Sequence, residues 1–194
     1  MSEYWEFLKE VYDFDSLPEE NLPEFIFWGR SNVGKSSLIN SLTKSKIART
    51  SKTPGRTRSL VFFELANKLR IVDFPGYGYS KIPKNSEFKL DKLIELYLLK
   101  RRIVKILFLL IDSRHGFKKT DQTIIHQLNS LLDDRICIVF TKIDKLKNSN
   151  ERNSLQNFNN ITTNEFNKKF FNASIKETNT IILLKKFILN SLRS

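Results

Sequence analysis

The chain has 194 residues, with 33 Lys+Arg against 21 Asp+Glu, a formal net charge of +12, one Cys and six Gly. A hydrophobic share of 40% and a charged share of 28% suit one globular domain with a proper core, and exclude collagen-like, disulfide-rich and wholly disordered classes. Cys137 alone cannot form an intrachain disulfide, which fits a reducing compartment.

Residues 1–24 carry one base and eight acids, −7, while the other 170 residues carry 32 bases and 13 acids, +19. The stretch 1–24 therefore reads as an acidic N-terminal extension of the domain formed by 25–194. A basic body points to a polyanionic partner, nucleic acid first, or to lysine enrichment by biased genome composition. The N-terminus is acidic where a secretory signal needs positive charge. The longest apolar run, Ile106–Ile111, falls far short of the ~20 residues that span a bilayer. A cytoplasmic protein with no membrane partner is expected.

In chain order, Phe25–Trp28 is a short apolar run ending at a Gly-containing loop and predicts a buried strand. Ser36–Leu42 predicts a helix. Leu60–Leu65 and Leu69–Asp73 flank Ala66-Asn67-Lys68 as a hairpin with a polar turn. Leu90–Lys100 has helical spacing, and Ile106–Ile111 and Ile136–Phe140 read as strands covered on both faces. Thr120–Leu132 predicts a helix capped by Thr120 or Asp121. In the Asn-rich segment 145–167 only the surroundings of Leu155–Phe158 read as helical. Phe170–Ala173 is the last strand and Ile181–Leu192 a closing amphipathic helix. This alternation predicts an α/β fold with a mostly parallel six-stranded sheet and helices on both faces.

Gly29-Arg30-Ser31-Asn32-Val33-Gly34-Lys35-Ser36 matches G-x-x-x-x-G-K-[ST] between a strand and a helix. Backbone N–H groups of such a loop cradle phosphates, Lys35 neutralises the β/γ-phosphates, and the Ser36 hydroxyl is a ligand for Mg²⁺. Thr141-Lys142-Ile143-Asp144 follows the strand Ile136–Phe140. The Asp144 carboxylate can accept from guanine N1–H and the exocyclic amine, which adenine does not offer in the same way. Asp73-Phe74-Pro75-Gly76 ends the strand Leu69–Asp73. There Asp73 can hold Mg²⁺ through water and the Gly76 N–H can reach a γ-phosphate, so the segment after it senses nucleotide state. Between these elements a switch threonine for Mg²⁺ is expected, and Thr53 and Thr57 both qualify by position. Four of the six glycines, Gly29, Gly34, Gly55 and Gly76, thus surround one ligand, with Gly78 beside them; Gly116 has no nucleotide role.

The phrases GRSNVGKSSLIN (29–40), ARTSKTPGRT (48–57), VDFPGYGYSK (72–81), IDSRHG (111–116) and FTKIDKL (140–146) resemble the EngB (YihA/YsxC) family of Ras-like GTPases, from about residue 24 to the C-terminus. The resemblance implies that 25–194 is a GTPase domain with Mg²⁺ on Ser36 and Thr57. It also implies GTP or GDP contacts at 29–36, at Gly55, Arg56, Thr57, Arg58 and Ser59, at 73–76, at 141–144, and at Asn172, Ala173 and Ser174. A role in large ribosomal subunit assembly follows from it, with rRNA and ribosomal protein of a subunit precursor as partners and cell division and septation affected downstream. A monomer is expected. Arg58 stands where the family usually has Gln, and Asn172-Ala173-Ser174 where F-S-S is common, so contacts there must rely on backbone groups.

Ras-like proteins place a water-orienting Gln directly after D-x-x-G, and here that residue is Tyr77. Slow intrinsic turnover is therefore expected, with Lys35 and Thr57 in catalytic positions. Asn32 has two readings: it coordinates K⁺ in place of an arginine finger, or it is a loop residue tolerating unusual backbone angles. His115, His126 and Tyr77 have packing readings, and Tyr77 and Tyr79 also an rRNA-stacking one. The competing classes are a P-loop kinase or ATPase, and an RNA-binding module whose nucleotide site is structural.

Overall fold

A computed structural model of the chain describes residues 4–49, 59–78 and 84–193, with side chains from 88 onward in the last stretch. The expectations for Thr53, Gly55, Arg56, Thr57, Arg58 and Tyr79 lie outside the described residues.

The described strands are β1 (Trp5–Val11), β2 (Glu24–Gly29), β3 (Leu60–Leu65), β4 (Leu69–Asp73), β5 (Val104–Asp112), β6 (Ile136–Thr141) and β7 (Lys169–Ala173). They form one sheet in the order β1-β3-β4-β2-β5-β6-β7. The β1/β3 and β3/β4 pairs are antiparallel and the rest parallel. The sheet is thus seven-stranded rather than six-stranded, because the acidic N-terminal stretch supplies an edge strand. A bulge between Phe7 and Lys9 hides that strand from periodicity: it leaves Leu8 and Val11, three apart, on one face, while Trp5 and Phe7 lie toward the other.

The apolar runs alternate between two buried layers, as parallel strands covered on both faces must. Ile26, Leu107, Leu109, Ile138 and Phe140 join one core, and Phe25, Phe27, Phe108, Leu110 and Val139 the other. Helices α2 (Lys84–Lys100), α3 (Lys119–Leu132) and α4 (Ser149–Asn164) cover the first core, and α1 (Lys35–Thr43) and α5 (Thr178–Asn190) the second. Each fully buried Leu, Ile or Phe contributes about 1.5–3 kcal/mol, so these two layers dominate the stability. Three residues join β3 to β4; Ala66 at φ 36° and Asn67 at φ 57° are consecutive left-handed positions, and the Lys68 N–H donates to the Leu65 carbonyl at 2.7 Å to close the turn.

Several predicted helix boundaries shift: α2 begins at Lys84 rather than Leu90, and α5 spans Thr178–Asn190 rather than Ile181–Leu192. Lys118, not Thr120 or Asp121, precedes α3; Asp121 instead caps from the third helical position, accepting the Lys118 N–H at 2.7 Å. Helix α4 runs far beyond Leu155–Phe158, opened by Asn148, whose side chain accepts the Glu151 N–H at 2.9 Å. At the far end of the sheet, fully buried Glu24 accepts from Arg101 at 2.7 and 3.0 Å and from the Tyr97 hydroxyl, while Arg70 lies 3.7 Å away.

Candidate functional site

Strands β2, β4, β5, β6 and β7 end at Gly29, Asp73, Asp112, Thr141 and Ala173. The motif residues therefore gather at the carboxyl edge of the parallel strands, where open α/β sheets bind ligands. The loop after β2 needs its glycines. A Cβ on Gly29 would lie 2.8 Å from the Leu110 carbonyl oxygen, and Gly34 has φ +103° immediately before α1. The loop thereby delivers the N-terminus of α1, with its free N–H groups, to an anion.

Lys35 forms an ion pair with Asp73. Burial pushes the Asp73 carboxyl up, and the Lys35 ammonium pulls it back only in part. The Asp73 carboxylate, at the end of β4, and the half-buried Ser36 hydroxyl, in the first turn of α1, are hard oxygen donors of the kind Mg²⁺ takes. Phe74 is buried in the core and Pro75 is fixed through its carbonyl, which accepts from Trp28 Nε1 at 3.0 Å. A Cβ on Gly76 would meet the Ser31 backbone at 3.0 Å, so this segment rests against the phosphate-type loop.

The loop after β6 is tied to the loop after β2. The Thr141 hydroxyl donates to the Val33 carbonyl at 2.7 Å, and Lys142 Nζ donates to the Asn32 carbonyl at 2.6 Å and to Asp112 Oδ2 at 2.9 Å. Asp112 also receives two bonds from the Arg114 guanidinium, at 2.9 and 2.7 Å. Burial alone would raise the Asp112 carboxyl, but the bonds from Arg114 and Lys142 outweigh it and hold the group far below the usual carboxylate range.

Beside Lys142 lies a cavity of about 190 Å³ whose walls include Gly34, Lys142, Asp144, Ala173, Ile175 and Lys176. The Ser174 hydroxyl donates to Asp144 Oδ1 at 2.8 Å and accepts the Lys176 N–H at 3.0 Å. This sets the carboxylate on the cavity wall, where it can receive paired N–H donors from a planar base. Of the 172–174 stretch, only Ala173 lines the cavity. Ser174 acts through its hydroxyl on Asp144 rather than through its N–H, which is donated to Thr180 Oγ1 at 3.0 Å. Asn172 is off the wall, with Oδ1 buried and unpaired. The wall continues in Ile175 and Lys176, which the resemblance did not include. Ile143 stays half-buried between Lys142 and Asp144, and Ser59 is buried at the start of β3, lining neither this cavity nor its neighbour.

That second cavity, about 210 Å³, has Arg30, Asn32, Asp112, Arg114, His115 and Asp121 among its walls. Asn32 is exposed with φ 64°, which meets the unusual-backbone reading. Gly116 has a packing role: at φ +58°, a Cβ there would lie 2.1 Å from the Phe158 ring. Tyr77 is half-buried, its ring in a T-shaped pair with Trp28 at 5.4 Å and its hydroxyl donating to Asp121 Oδ1 at 2.8 Å, as the packing reading expects. Burial first, and the Asp121 carboxylate second, push its phenol far above the ordinary range. His126 lies edge-on to Phe166 at 6.2 Å, a packing contact.

A phosphate-cradling loop opening a helix, a buried strand-end aspartate paired to its lysine, and a lysine–aspartate base loop on neighbouring parallel strands define a Ras-like P-loop GTPase. Residues 24–142 match the family described as 50S ribosome-binding GTPase. The chain is 49% identical over 153 residues to the probable GTP-binding protein EngB of Mycoplasmopsis synoviae, covering 78% of this chain and 80% of that protein. It is 47% identical over 146 residues to the Thermosipho africanus protein of the same name, covering 74% and 75%. A crystal structure of a probable GTP-binding protein EngB superposes with TM-score 0.66 at 30% identity, covering 88% of this chain and 98% of that one. The chain belongs to the EngB family of GTP-binding proteins, and its domain is a GTPase. No helix among the described residues is long and apolar enough to cross a membrane.

Proposed function

We propose that this GTPase is a slow, nucleotide-dependent switch in assembly of the large ribosomal subunit. The observation that carries the guanine switch is the Asp144 carboxylate, held by the Ser174 hydroxyl on a cavity wall that adjoins the loop at 29–36. In this reading residues 29–36 and 73–76 contact the phosphates, 141–144 with Ala173, Ile175 and Lys176 surround the base, and Thr57 is a further nucleotide-contacting residue. Ser36, Asp73 and Thr57 would hold Mg²⁺, which when bound neutralises charge on the β- and γ-oxygens. Lys35 leaves Asp73 to meet the phosphates. Slow turnover follows from Tyr77: a phenol tied to Asp121 cannot orient water as a Gln does.

The +19 charge of residues 25–194 supports an rRNA-bearing partner, because neutralising phosphates releases counterions. The matched family's description as 50S ribosome-binding supports the large subunit in particular. A cytoplasmic monomer, and an effect on cell division and septation through defective subunit supply, belong to the same reading. The test is co-sedimentation with purified large-subunit precursors, with GDP or a non-hydrolysable GTP analogue, at two salt concentrations. Association that depends on the nucleotide at both salts is expected; identical association with either nucleotide removes the switch.

The K⁺ reading of Asn32 rests on its exposed side chain beside the phosphate loop, although its left-handed backbone explains an Asn there without a cation. Turnover in KCl and NaCl at matched ionic strength decides between them, and equal rates dismiss K⁺.

A further inference from the structure

The residue after D-x-x-G is attached at both backbone and side chain. The Tyr77 N–H donates to the Gly29 carbonyl at 3.2 Å, and the Ser31 N–H to the Tyr77 carbonyl at 3.2 Å. Just upstream, the Phe74 N–H donates to the Phe27 carbonyl at 3.0 Å. The side chain adds a third attachment, from the Tyr77 hydroxyl to Asp121 Oδ1 at 2.8 Å. Asp121 is fully buried at the first turn of α3, and its other oxygen accepts the Lys118 N–H at 2.7 Å. A buried carboxylate that loses a donor is left under-solvated, so this bond resists opening more than a surface one would.

In the conformation held this way, Gly76 rests on Ser31 and Asp73 is paired with Lys35. The Lys35 ammonium is thus engaged by Asp73, and Gly76, whose N–H would reach a γ-phosphate, is packed against Ser31. We propose that Tyr77 is a positioning residue: its bond to Asp121 latches the D-x-x-G segment to α3 with Gly76 packed on Ser31, and it opens when a γ-phosphate draws the Gly76 N–H toward it. The latch sets the balance between the two nucleotide states and makes the first turn of α3 a second element that responds to them. A ligand shifts such an equilibrium only through its differential affinity for the two states, so the latch appears as a ratio of affinities.

The inference rests on the switch reading of the same site. It is tested on the full chain by titrating fluorescent GDP and a fluorescent non-hydrolysable GTP analogue into wild type, Tyr77→Phe, Asp121→Asn and the double variant. Tyr77→Phe keeps the ring against Trp28, Asp121→Asn keeps an acceptor for Lys118, and thermal melts establish that each variant is folded. The expected result is a rise of about tenfold or more in the analogue-to-GDP affinity ratio for Tyr77→Phe, as for loss of one hydrogen bond to a charged acceptor. In the Asp121→Asn background the same substitution changes little. An unchanged ratio, or equal losses for both nucleotides, shows a merely structural tyrosine and overturns the latch. So does a shift of the same size in both backgrounds, which places the effect outside the Tyr77–Asp121 bond. If the wild type sediments with precursors irrespective of nucleotide, the switch reading falls, while the affinity ratio still reports on the latch.

Discussion

Gly116 and Phe158 occupy each other's space: the Phe158 ring lies 2.1 Å from where a Gly116 Cβ would stand, and Gly116 has φ +58°. The glycine of the D-S-R-H-G loop therefore lets that loop pack on α4, next to the Asp112–Arg114 pair. Gly116→Ala combines a left-handed alanine, costing about 1–2 kcal/mol, with overpacking of about 1–3 kcal/mol. Urea denaturation is expected to show a loss of about 3 kcal/mol. A loss below about 0.5 kcal/mol, the range of ordinary surface substitutions, would contradict the packing role.

Ser174→Ala removes the hydroxyl that orients Asp144 while leaving the backbone bond of Ser174 to Thr180 in place. A hydrogen bond to a charged group is worth about 1.5–3 kcal/mol, so GDP affinity should fall by roughly tenfold or more in calorimetric titration. Discrimination against ADP should shrink with it. Undiminished guanine affinity would mean that Asp144 needs no support.

Glu24→Ala leaves Arg101 buried without its main partner, at the end of the sheet remote from the nucleotide site. Breaking a buried pair in this way costs about 3–5 kcal/mol. The thermal midpoint should drop sharply while GDP affinity of the folded protein is kept, and lost affinity at full stability would reverse that assignment.

The Asp112 carboxyl is held below its ordinary value, so its contribution to stability is complete above the unfolded value of about 3.9 and is lost as pH falls toward the folded one. Wild type should exceed Asp112→Asn in stability by a constant margin between pH 6 and 8, narrowing only below about pH 4. A margin independent of pH down to acid unfolding would show that the Arg114 and Lys142 bonds do not depend on the charge.

Much of this molecule was legible in local runs of residues. Ile106–Ile111 and Ile136–Phe140 announce strands because both faces are buried, and Gly29–Ser36 and Thr141–Asp144 announce their loops because backbone geometry restricts residue type. Three features were not legible. Strand β1 has its alternation broken at Leu8 by a bulge that only pairing with β3 reveals. Helix α4 buries only a thin stripe, including Phe158 and Thr162, in an Asn-rich segment. The attachments of Tyr77 to Asp121 and of Ser174 to Asp144 join residues 44 and 30 positions apart, and no spacing rule encodes them.

The central claim, that association with the subunit precursor follows the guanine nucleotide read by Asp144, is tested most directly with Asp144→Asn. An amide there should pair with xanthine instead of guanine. With purified precursors, association and turnover of the variant are expected to follow xanthosine nucleotides and to ignore GTP and its analogue. Association that still follows GTP, or that responds to neither nucleotide while the variant remains folded, would contradict the account.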